Sequence, residues 1–197
     1  MKTQKVLFGD VNKKMDFYHG TSIGGLHELK PFQSEHGKPY IYFSTNLVVA
    51  AFYTVHIVKR PNNWFPYGFD KNGLPCYTEY YENAMEDVYK SKSGYIYQCI
   101  EINNIENPTN INCAYVCEQP VPVCSVIKIK DMYEWFLEQE QNGKLRITRF
   151  KTLTETQRQF AKKMISEEIA TWNLHNDPDS SYSKFISDRF PEIWDTK

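Results

Sequence analysis

The chain has 197 residues, of which 41% are hydrophobic and 24% charged, an ordinary globular balance with enough apolar material for a sizeable core. Its 23 basic and 24 acidic side chains nearly cancel, so it lacks the net-positive footprint of a general nucleic-acid binder. Five cysteines at irregular spacing, with no Cys-x-x-Cys pair, argue against a disulfide framework and a cysteine-based zinc site. They read as reduced thiols of a cytoplasmic protein. The opening "MKTQKVLFGDVNKK" has neither the apolar core nor the cleavage site of a signal peptide, and no run reaches membrane-spanning length.

In chain order, "MDFYH" at 15–19 predicts a strand ended by Gly20-Thr21-Ser22. Gly24-Gly25 and Pro31 interrupt regular structure between this strand and the next. "KPYIYFS" at 38–44 predicts a second strand, in which one of Tyr40 and Tyr42 is expected in the core. Thr45 and Asn46 can cap a helix through about Val58, ended by Pro61. Residues 59–76 are rich in Pro, Gly and Asn and carry Trp64, Phe65, Tyr67 and Phe69. They read as a long loop that could serve as a lid.

Tyr77, Tyr81, Met85 (or Ala84) and Val88 fall at helical spacing and predict an acidic amphipathic helix over about 77–90. "GYIYQCIEI" at 94–102 predicts a strand. Residues 113–129 predict a strand pair or one bent strand, with Pro120 and Pro122 confined to an edge or bulge. Asp131 and Glu134 resemble a capping box opening a helix to Gln141, stopped by Gly143. "KLRITRF" predicts a short strand. Phe160, Met164, Ile165, Ile169 and Trp172 form a helical stripe over 153–173, and a last helix is expected over 181–195. Strands mixed with helices and no regular βαβ alternation predict an α+β fold. The expected organisation is a domain over 1–150 and a helical C-terminal extension over 151–197 packing on it.

"YHGT" followed by "IYFSTNLVVAAFY" resembles the ADP-ribosyltransferase-like fold, on the branch shared by diphtheria-type toxins and poly(ADP-ribose) polymerases. The two tyrosines, Tyr42 and Tyr53, stand eleven residues apart, as in the polymerase pattern. The resemblance covers about residues 15–130. It implies split β-sheets with flanking helices, and NAD bound as substrate without a Rossmann motif. It implies that His19 hydrogen-bonds the adenosine-side ribose and that the Gly20 backbone meets the nicotinamide carboxamide, with glycine allowing close approach. Thr21 and Ser44 belong to the same binding motifs. Tyr42 and Tyr53 would sandwich the nicotinamide across a slot about 7 Å wide. Glu118 in "CEQPVPVCSVIKI" is the candidate catalytic acid, acting with His19 and Tyr42, and Glu101 in "CIEI" is the alternative.

The function so implied is NAD-dependent mono-ADP-ribosyl transfer to a protein, nucleic acid or small molecule. The second reading is a catalytically inactive module that binds NAD, ADP-ribose or a partner protein. The third, ranked lowest, is an RNA 2′-phosphotransferase-like enzyme, which needs several arginines where this chain carries mostly lysine outside its C-terminal third. Separately, Arg146, Arg149 and Lys151 could touch phosphates or form a solvated strand edge. His27, His36 and His56 form no metal-ligand spacing, and no metal is expected.

Overall fold

The computed structural model describes residues 15–33, 37–58, 66–109 and 111–196. The chain begins with β1 (Asp16–Thr21), two short strands, β2 (Glu28–Leu29) and β3 (Phe32–Gln33), then β4 (Pro39–Ser44) and α1 (Leu47–Phe52). A hairpin of β5 (Tyr67–Phe69) and β6 (Pro75–Thr78) leads to α2 (Ala84–Tyr89) and β7 (Gly94–Ile100). Next come β8 (Ala114–Cys117), β9 (Val121–Pro122), β10 (Ser125–Ile129), α3 (Met132–Gln141) and β11 (Arg146–Thr148). Helices α4 (Glu155–Thr171), α5 (Ser181–Arg189) and α6 (Pro191–Trp194) complete the chain. The fold is α+β. Among the described residues, no helix is long and apolar enough to cross a membrane.

Among the described residues, six strands form the main sheet in the order β10-β7-β1-β4-β3, with β8 also paired to β4. Strand β1 runs along β7 over its whole length, from Asp16 opposite Ile100 to Thr21 opposite Tyr95. It meets β4 at a single pair, Tyr18 opposite Ser44. The sheet therefore opens into a seam between β1 and β4, and that seam positions the site. Strands β11, β6 and β5 form a second sheet, and β2 with β9 a two-stranded ribbon.

Helix α1 lies across β1 and is buried on nearly every side, through Val48, Val49, Ala50, Ala51 and Phe52. Asn46 caps it, its side-chain oxygen accepting from the backbone N–H of Val48 and Val49 at 2.9 and 3.2 Å. Phe52 is fully buried and stacks on Phe136 of α3 at 5.0 Å and on Tyr67 at 5.2 Å. Burying such a ring contributes about 1.5–3 kcal/mol. On the other face of the sheet, Phe17, Ile41, Phe43 and Cys99 form a separate cluster with Leu29 of β2 and Val121 of β9. A third cluster joins α4 and α5 to Val58, with Tyr80 and Tyr81 packed against it.

Several predicted elements differ. The helix over Asn46–Val58 ends at Phe52, because the Thr54 hydroxyl donates to the Ala51 carbonyl at 2.8 Å and competes with helical continuation. The loop at 59–76 is in part a hairpin. Asp70 accepts from the N–H groups of Asn72 and Leu74, and Gly73 takes φ +80°, a tight turn between β5 and β6. Trp64, Phe65 and Pro61 lie outside the described residues, as does His36.

The helix over 77–90 shrinks to Ala84–Tyr89. Tyr77 sits in β6, whose burial alternates with the period of two of a strand. The region 113–129 holds three strands rather than one or two, and Phe190-Pro191 divides the last helix. Phe160 and Trp172 of the α4 stripe face solvent; Ala161, Ile165 and Ile169 carry its buried face.

Candidate functional site

A cleft of about 1480 Å³ opens at the β1–β4 seam and is bordered by His19, Gly20, Thr21, Tyr42, Ser44 and Tyr53. Six of the seven sequence-predicted residues thus share one hollow. They come from β1, β4 and the end of α1, and the seam brings those three elements together.

His19 is partly buried in the wall of the cleft. Its Nδ1 lies 2.8 Å from the backbone carbonyl of Tyr42, which can only accept, so Nδ1 carries the proton. Burial holds the imidazole below its ordinary pKa; the Tyr42 carbonyl opposes this in part, and His56 adds to the lowering. The neutral ring therefore leaves Nε2 bare, an acceptor for a hydroxyl donor. The same bond ties the two strands where their pairing has ended, so the Tyr42 carbonyl is satisfied by a side chain.

Gly20 is required for a reason other than ligand approach alone. A Cβ at this position would stand 1.9 Å from the Ala50 carbonyl oxygen. The close contact between β1 and α1 excludes any side chain there, while the Gly20 backbone still borders the cleft. Ser44 accepts from the Asn46 N–H at 3.0 Å, and Thr21 accepts from the Ile23 N–H at 3.2 Å. Both hydroxyls fix turns that shape the cleft wall.

Tyr40 and Tyr42 share one face of β4, two residues apart, while Ile41 and Phe43 are buried on the other. The expectation that one tyrosine of the pair would be in the core was wrong, because a strand's period of two places both on one side. Tyr42 packs edge-to-face against Tyr40 at 6.1 Å and near Phe32 at 6.0 Å. Tyr53 is the C-cap of α1 and packs partly on the core beneath it. Its ring meets Tyr67 edge-on at 6.3 Å, and the two hydroxyls are 3.0 Å apart. Burial raises the Tyr53 pKa above that of a free phenol, so the hydroxyl stays neutral.

Glu118 is not among the residues that border the cleft. It is exposed at the corner between β8 and β9 and pairs with Lys38 at 3.1 Å. Glu101 is exposed just beyond β7, at φ +53°, and does not border the cleft either. Arg146, Arg149 and Lys151 pair with Asp70, Glu140 and Glu82, away from the cleft.

The structure adds residues that the sequence reading did not select. His27 and His56 border the cleft, and Ser181 of α5 brings the C-terminal helices to its wall. Glu28 is the one carboxylate residue among the described residues that borders it. No local signal marks Glu28, because β2 forms by pairing with β9, more than ninety residues away. No protein-family model matches the chain, and no curated protein is significantly similar to it.

Proposed function

We propose that this protein is an NAD-dependent ADP-ribosyltransferase of the branch shared by diphtheria-type toxins and poly(ADP-ribose) polymerases, transferring a single unit. The convergence of His19, Gly20, Thr21, Tyr42, Ser44 and Tyr53 on one cleft carries this reading. The cleft exceeds the roughly 300–1,000 Å³ of ordinary small-molecule sites, which suits a dinucleotide. In this reading His19 Nε2 accepts from a ribose hydroxyl on the adenosine side. Tyr42 and Tyr53 flank the nicotinamide, whose cationic ring is attracted to aromatic faces by about 0.5–2 kcal/mol each.

The bond between the nicotinamide nitrogen and ribose C1′ then breaks. Its electron pair stays on the nitrogen, which becomes neutral, and positive charge develops on the ribose. An acceptor lone pair bonds to C1′, and the acceptor proton leaves to solvent. The five free thiols support a reducing, cytoplasmic setting.

The test is thermal stabilisation by NAD together with nicotinamide release. NAD at a hundred times its Kd should stabilise the wild type by about 2.7 kcal/mol, and Tyr42→Ala should weaken binding by roughly tenfold. A wild-type protein whose melting is unmoved by NAD would overturn the proposal.

A second reading, a nucleotide-binding module without cleavage, is favoured by one observation: Glu118 is engaged with Lys38 outside the cleft. Stabilisation by NAD without nicotinamide release would select it. The 2′-phosphotransferase reading is weaker, since among the described residues no arginine borders the cleft.

A further inference from the structure

The geometry points to Glu28, and not Glu118, as the carboxylate that faces the reacting ribose; this inference rests on the NAD-cleaving reading of the cleft. Departure of nicotinamide leaves positive charge on C1′ and the ring oxygen of the ribose, and a carboxylate fixed beside them stabilises the transition state electrostatically. Such a group must border the cleft, and Glu28 does so where Glu118 does not.

The ribbon explains how Glu28 is held. Leu29 is 2% exposed and pairs with Val121, which anchors β2 in the cluster under the sheet. Glu28, the preceding residue, pairs with Pro122 and leaves its side chain about half exposed. Its ion-pair partner is Lys30, at 4.0 Å, the outer limit for such a contact. Glu118, by contrast, accepts a hydrogen bond from Lys38 at 3.1 Å. Glu79, another acid, is buried and spends its two oxygens on the N–H groups of Met85 and Phe150. Glu28 therefore combines three properties: it is on the cleft, anchored through its neighbour, and only loosely paired.

In the step proposed, the carboxylate remains ionised throughout. It forms no covalent bond, and it hydrogen-bonds a ribose hydroxyl on the nicotinamide side while the N–C1′ bond breaks. With water as acceptor the products are ADP-ribose, nicotinamide and one proton.

The experiment measures nicotinamide release and NAD-induced thermal stabilisation on the full chain, for wild type, Glu28→Gln and Glu118→Gln. The expected result is that Glu28→Gln keeps the wild-type melting temperature and its stabilisation by NAD, while release falls by about 100-fold or more. Glu118→Gln is expected to release nicotinamide at close to the wild-type rate. Loss of release in Glu118→Gln with full release in Glu28→Gln would overturn the inference and leave the transferase reading standing. A wild type stabilised by NAD that releases no nicotinamide would overturn it in favour of the binding module. A wild type that NAD does not stabilise would remove both.

Discussion

Two aromatic regions meet at helix α1, and they use the same residue types to different ends. Beneath the helix, Phe52, Tyr77, Tyr89 and Phe136 are fully buried; Phe52 stacks on Phe136, Tyr89 meets Phe136 edge-on, and the Tyr89 hydroxyl donates to the Phe52 carbonyl at 3.0 Å. Tyr42 on the strand before the helix and Tyr53 at the helix's C-terminal end are only partly buried and border an open hollow. An interior ring contributes through the area it removes from water. A cleft ring contributes only when something flat arrives to cover it. The comparison shows that tyrosine content alone says little, whereas partial exposure at a seam between strands points to a ligand.

That contrast can be broken from either side. The largest effect is expected from Phe52→Ala, which empties the stacked interior and should destabilise the protein by about 3–5 kcal/mol in denaturant melts. If the two regions are separate in duty, the fraction that remains folded should bind NAD with unchanged affinity.

Gly20→Ala should come next, at about 1–3 kcal/mol, because the new methyl group would collide with the Ala50 carbonyl. Unlike Phe52→Ala, it should also weaken NAD binding, since it pushes α1 away from β1 and spreads the cleft. A variant as stable as wild type would show that the helix can retreat freely.

The smallest effect is in pH dependence. The folded-state pKa of His19 is lowered by burial, so the native state holds fewer protons than the unfolded chain below the ordinary value of about 6.5. Stability from this group is complete above that pH and is lost as pH falls from it toward the lower folded pKa. The slope is at most about 1.4 kcal/mol per pH unit for one proton. In His19→Gln, the melting temperature should fall less steeply between pH 6.5 and 5 than in wild type. Parallel slopes would mean that the imidazole is not held neutral in the fold.

The sequence was most informative where the determinants are local. The strand through His19, which runs two residues past its expected end, the strand through Tyr42, and the Asn46 cap each lie within a few residues of the features that define them. They appear in the structure close to the expected bounds. What was hidden depends on contacts distant along the chain. Glu28 reaches the cleft because β2 pairs with β9, whereas Glu118 stands outside it at an exposed corner, paired with Lys38.

The reason for Gly20 was also concealed, since the atom that forbids a side chain there belongs to Ala50. Tyr77 shows the converse failure. Its spacing to Tyr81 and Met85 imitates a helix, but burial on one side of a β-strand decides its place.

The imidazole that spans the seam couples position 19 to the main chain at 42. Whatever tilts the ring at 19 also moves the main chain at 42, so aromatic stacking and proton state are tuned through a single joint. Loss of the ring at 19 would therefore loosen the chain at 42, whereas a new side chain at 42 would keep the carbonyl to which that ring bonds.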